Sequence, residues 1–251
     1  MTANTASNDQ ALVVLHRETH GHLRLNRQKP DYGFVRGAVT VSLTAAEVPA
    51  ACMEYPCVMA RQPDGRWSLL AVTGLKAGQN LFVGEDGAWL GDYLPVTLST
   101  WPFRLVNDGN EQGRFLVAVQ PSALSTTDGD PLFDASAQES PWLLERLREL
   151  TQTDAGMVET SDQLAALDAA GVLSERTFQA VLGDGSDVEL HGFLTVDEAR
   201  LQTLPEKTVH ELHVSGALAL AYLHLLSLRR FRALVARAGE LAERSEAAAL
   251  D

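Results

Sequence analysis

The stretch DVELHGFLTV (Asp187–Val196) decides how the two halves of this chain relate. It reads as a strand, yet it sits in a half whose apolar periodicity is otherwise helical. A strand needs neighbours to pair its backbone N–H and C=O groups, and the other candidate strands all lie in the first half. Asp187–Val196 is therefore expected to return to that earlier sheet and to join both halves in one domain. The class that follows is α+β, a β-rich N-terminal half of antiparallel hairpins packed against a helical C-terminal half.

Residues 1–10 are small and polar, and disorder is expected there. Residues 11–135 form the β-rich region, where short apolar runs are separated by turn signals. Asp-Gly occurs five times, at Asp64, Asp86, Asp108, Asp128 and Asp184, and this pair suits tight hairpin turns. Three hairpins are expected: Cys57–Gln62 with Arg66–Val72, a second within NLFVGEDGAWLGDYL, and a third within FRLVNDGNEQGRFLVAVQ. Thr44 and Glu47 stand at capping-box spacing and open a short helix with Pro49 in its first turns. From residue 136 to 251 the region is mainly helical. Ser140 caps a helix through Leu150, and TSDQLAALDAAGVL forms a second helix that Gly171 stops. Thr195 and Glu198 offer a further capping box, and Pro205 begins the last helical region.

The formal charge of −13 disfavours nucleic acid as a partner. Arg229, Arg230, Arg232 and Arg237 are read as a solvated helix face rather than a basic patch. The N-terminus lacks the basic and apolar regions of a secretory signal. Val214–Leu228 is the most apolar stretch, but it is short and broken by His224, so it is expected as a core helix rather than a membrane insertion. Cys52 and Cys57 are expected as buried, unreactive thiols. A cytoplasmic location follows, with the cell surface, reached by a signal-independent export route, as the alternative.

The cluster LHRETHGHLRL (Leu15–Leu25) suggests a metal site through His16, Glu18, His20 and His22. Its spacing departs from the cupin, HExxH and facial-triad patterns. The expectation is a polar strand face, with these side chains on one side. Convergence with His191 would restore the metal reading. Trp89, Asp92, Tyr93 and Trp101 form an aromatic–acidic group suited to lining a binding surface, with Trp101-Pro102-Phe103 packing inward and Asp92 and Tyr93 reaching solvent. There is no Gly-x-Ser-x-Gly elbow, no phosphate-binding P-loop and no dinucleotide fingerprint. No cofactor is expected, and the balance of motifs leans away from an enzyme.

The block NLFVGEDGAWLGDYLPVTLSTWPFRL (Asn80–Leu105) resembles the core block of the bacterial SapC family. EYPCV (Glu54–Val58), DPLFD (Asp130–Asp134), FLTVDEARLQTLP (Phe193–Pro205) and GALALAYLHLLSL (Gly216–Leu228) follow the same order. The resemblance implies one continuous domain over about residues 12–235. It departs at Ala88, and at Ser99 and Thr100, where arginines are usual. Family members are linked to surface layers and to loci encoding flavin-dependent tryptophan halogenases, cupin-like proteins and TonB-dependent receptors. The resemblance thus implies an accessory protein that binds a protein or peptide partner in a peptide- or nutrient-related pathway. A surface-layer component and a metal-dependent enzyme centred on His16, His20 and His22 are the alternatives.

Overall fold

The computed structural model describes residues 12–25, 30–107, 115–136, 138–183 and 185–248. The expected disorder of residues 1–10, and the loop 108–114 of the third hairpin, lie outside the described residues. In chain order the first elements are β1 (Val13–Val14), α1 (Arg17–His20), β2 (Arg24–Leu25), β3 (Thr40–Leu43), α2 (Val48–Ala51), β4 (Cys57–Arg61) and β5 (Trp67–Val72). Then come α3 (Val96–Ser99), β6 (Phe103–Asn107), β7 (Phe115–Val119), β8 (Leu124–Ser125), β9 (Asp130–Pro131) and α4 (Pro141–Ala169). The last are β10 (Leu173–Val181), β11 (Asp187–Val196), α5 (Glu198–Gln202), α6 (Glu206–Val214), α7 (Ala217–Ser227) and α8 (Arg230–Ala248). The class is mixed α+β, with antiparallel sheets mainly in the N-terminal part and helices toward the C-terminus. No described helix is long and apolar enough to cross a membrane.

The chain divides into two compact units. One combines Tyr32–Pro95 with the residues from Gly156 onward, and the other combines the described residues before Tyr32 with Val96–Ala155. The first unit holds a five-stranded antiparallel sheet ordered β10-β11-β4-β5-β3. Strand β11 joins β4 at the single register pair Leu194–Met59, so both halves of the sequence share one sheet. The runs of β4 and β5 are apolar on both faces, as befits strands buried on both sides. Val41, Leu43, Cys57, Met59, Leu69 and Ala71 alternate to one side, and all of these but Val41 belong to one apolar cluster with Leu164, Leu167, Leu220 and Ala221. The second unit holds the three-stranded sheets β1-β7-β6 and β8-β2-β9. Its core is Leu25, Phe103, Val119, Leu132, Phe133, Leu143 and Leu150.

Helix α7 supplies the polar seam behind the β4–β11 junction. His224 is fully buried, and its Nε2 accepts the Val196 N–H at 3.1 Å. Ser227 Oγ accepts the Cys57 N–H at 2.9 Å and donates to the His224 carbonyl at 2.6 Å. The ring must therefore be neutral, with its proton on Nδ1, which finds no hydrogen-bond partner among the described residues. Burial pushes the His224 pKa down to about 4, against a smaller opposing pull from the Cys57 backbone. Both cysteines are free and buried; burial raises both thiol pKa values, that of Cys57 to about 12.

Several local expectations are corrected. The two helices expected across residues 140–171 are one, α4, because Gly156 lies against Thr44 and does not break it. A Cβ there would meet Thr44 Cγ2 at 3.1 Å, and Thr160 Oγ1 in the next turn accepts the Ala45 N–H at 2.7 Å. That packing outweighs the roughly 1 kcal/mol a helical glycine costs. The second expected hairpin is reduced to the bridge Val83–Trp89, since its later backbone N–H groups bond to side chains. Helix α5 is capped by Asp197, whose side chain accepts the Arg200 N–H, while Thr195 is buried in β11. The Thr44–Glu47 capping box, the β4–β5 hairpin and the Ser140 cap are present as expected.

His224 also sets a pH dependence. Its folded pKa lies below the unfolded value near 6.5, so the unfolded chain binds the extra proton between those values. The contribution is complete above about pH 6.5 and is lost as pH falls toward 4, by about 3 kcal/mol. Denaturant titrations at both pH values are expected to show this loss, and His224→Gln is expected to flatten it.

Candidate functional site

The segment Phe82–Tyr93 is tied down by side chains from the turns on either side of α2. The Glu54 carboxylate accepts the Asp92 N–H at 2.9 Å and the Tyr93 N–H at 2.7 Å. The Tyr55 hydroxyl donates to the Tyr93 carbonyl, and Trp89 Nε1 donates to the same oxygen at 2.9 Å. The Tyr93 hydroxyl donates to Glu47 Oε1 at 3.0 Å. Glu47 Oε2 meanwhile accepts the Thr44 N–H and hydroxyl, both at 2.8 Å. Burial, then the neighbouring carboxylate (Glu54 for Tyr55, Glu47 for Tyr93), holds both phenols above their ordinary pKa. They stay neutral donors.

The rings of this segment pack on each other. Phe82 stacks on Trp89 at 5.8 Å and meets Tyr55 edge-on at 4.9 Å. Arg237 lays its guanidinium 4.2 Å over Phe82 and donates to the carbonyls of Leu81, at 2.8 Å, and Leu90, at 3.1 Å. Arg237 is thus no part of a solvated face. Its spacing on α8 carried no sign of this, since its partners lie some 150 residues earlier. A cation over a ring with two carbonyl acceptors is well satisfied there.

Trp89 and Tyr93 are consequently half-buried and turned inward, which corrects the expected exposure of Tyr93. The exposed members are Asp92, Leu90 at 44% and, beside Glu54, Met53 at 59%. Trp101 belongs to the second unit and is half-buried, while Pro102 and Phe103 pack inward as expected.

The histidine cluster does not form a strand face. Arg17–His20 is a single helical turn, and His20 Nδ1 accepts the His16 N–H at 3.0 Å, closing the turn. His16 and Glu18 line an open hollow with Phe115 and Phe133. Among the described residues no three His, Cys, Asp or Glu side chains are placed to hold a metal ion. His191 lies on β11, in the first unit, at a bulge where His191 and Gly192 oppose one residue of β10. Gly192 takes φ +85° there, a conformation that glycine favours.

That bulge borders a cavity of about 380 Å³ in the first unit. Val58, Leu70 and Val72 line its floor, Leu75, Ala77 and Gly78 one wall, and Glu189–Phe193 another. Phe178 and Phe193 stack on Phe231 of α8, at 4.1 and 6.3 Å, and hold the β10–β11 arm in place.

A family model described as SapC matches residues 15–234. The chain belongs to the SapC family. No curated protein and no solved structure matches it. The SapC match includes the Phe82–Tyr93 segment and the cavity, while Arg237 stands just beyond it.

Gly91 has no room for a side chain. A Cβ would lie 2.5 Å from the Tyr55 hydroxyl, 2.7 Å from Trp89 Nε1 and 2.9 Å from Glu54 Oε1. Gly91→Ala is expected to lower unfolding stability by about 1–3 kcal/mol. Gly239→Ala, in α8 with nothing within 4 Å of the added carbon, is expected to raise it by about 0.5–1 kcal/mol. Urea denaturation of the two variants beside the parent checks both signs.

Proposed function

We propose that this SapC-family chain is a non-catalytic accessory protein that binds a protein or peptide partner through the outer surface of the 89–93 loop. The observation that carries this reading is the contrast between a pinned backbone and exposed tips. Glu54, Tyr55 and Trp89 hold the loop from inside, while Leu90 and Asp92 face solvent. A pre-organised loop loses little conformational entropy on binding, so its apolar contact is not offset by ordering. Trp89 and Tyr93 act by holding the surface, and Asp92 presents its charge. With a chain charge of −13, the fitting partner segment is apolar and basic. The reading assigns the protein to the cytoplasm, where two free thiols stay reduced. It agrees with the peptide- or nutrient-related context that the family resemblance implies.

Affinity capture from native bacterial lysate tests this with the parent and the double variant Leu90→Lys, Asp92→Lys. The parent is expected to retain a partner that the variant recovers at least about tenfold less, with equal melting temperatures for the two proteins. Equal recovery by both, or no partner above background with the parent, contradicts the reading.

A further inference from the structure

We propose that the cavity between the β10–β11 arm and the sheet binds a compact apolar amine, a ring or branched hydrocarbon carrying one ammonium group. This site is separate from the Leu90–Asp92 surface and does not depend on the partner-binding reading. Its floor comes from three strands. The register pairs Thr40 with Val72 and Val58 with Leu70, and alternation sets all four on the face away from Val41, Cys57, Leu69 and Ala71. Val58, Leu70 and Val72 are 1–2% exposed, so this face is built for burial, yet about 380 Å³ lies against it. On the loop side Gly37 and Gly78 bring backbone rather than side chains to the space; a Cβ on Gly37 would lie 3.8 Å from Gly78 Cα.

The lining is mainly apolar, so water against it finds few hydrogen-bond partners and is readily displaced. Apolar cavities of about 150 Å³ already admit a benzene ring, so the volume here suits a ring with a short side chain.

The head group is set by the rim. Glu189 and His191 alternate to one side of β11, line the cavity and are exposed to solvent. Gln179 Nε2 donates to Glu189 Oε1 at 3.4 Å across the hairpin, which holds the carboxylate in position. A carboxylate accepts hydrogen bonds and donates none. Lys76, between two lining residues, is turned aside with its Nζ donating to Ser186 Oγ at 3.1 Å. The chain charge of −13 adds a field that draws cations and repels anions.

Isothermal titration calorimetry with three probes of one shape tests the assignment: 2-phenylethylamine, 2-phenylethanol and 3-phenylpropanoate. The amine is expected to bind the full chain with a Kd on the order of a millimolar or below. The alcohol should bind about fivefold more weakly, and the carboxylate more weakly still. Glu189→Gln is expected to bring the amine down to the alcohol's affinity. Ala60→Phe on the floor, and Thr40→Tyr at the half-buried edge strand, are each expected to abolish binding in proteins whose melting curves stay cooperative. Absence of binding to the parent at about 10 mM amine overturns the proposal. Equal affinity for amine and carboxylate, or amine binding unaltered in either blocking variant, overturns it as well.

Discussion

The first unit depends on a junction that the backbone alone holds weakly. Strands β4 and β11 come from opposite halves of the sequence and share one register pair. Helix α7 makes up the difference with two side chains one turn apart, since His224 takes the Val196 N–H and Ser227 takes the Cys57 N–H. A buried N–H without an acceptor costs about 1–3 kcal/mol, so each side chain removes a penalty that the sparse ladder would leave. The apolar character of α7 and its one buried imidazole are two aspects of the same role.

With β11 fixed, the arm it forms with β10 has a defined place. The bulge at His191–Gly192 interrupts the pairing, and the Phe178, Phe193 and Phe231 rings secure the arm to α8. The cavity exists because this arm borders the sheet face without filling it. The tied-down segment around Trp89 follows a different logic. There, two carboxylates, Glu47 and Glu54, replace strand partners by accepting backbone and hydroxyl donors. Arg237 completes the segment through carbonyls and a ring. The outer residues of that loop are held still by groups that are themselves hidden.

What was legible in the sequence was local. Thr44 and Glu47, Ser140, and Asp64 with Gly65 each act on neighbours within a few residues, and each is present as expected. The strand character of Asp187–Val196 was also legible, because a β segment inside a helical half needs a sheet elsewhere. What escaped depends on partners distant in the chain. Gly156 stays helical through Thr44, the 80–94 segment forgoes a hairpin through Glu54, and Arg237 leaves solvent for Phe82. Strand β10 carries exposed polar residues along most of its length, and its pairing with β11 gives it strand form. The His16–His22 stretch was misread for a local reason, since a histidine ring can close a helical turn much as a capping carboxylate does.

Native-state hydrogen exchange, read residue by residue, tests the α7 seam most directly. The Val196 and Cys57 amides should exchange as slowly as the Val58 and Leu70 amides, which bond within the β4–β5 pair, through the same global opening. In Ser227→Ala, protection at Cys57 should fall selectively while the β4–β5 pair keeps its own. Rapid exchange at Val196 and Cys57 in the parent protein, with the β4–β5 amides still protected, would show that the junction stands without the seam and would contradict this account.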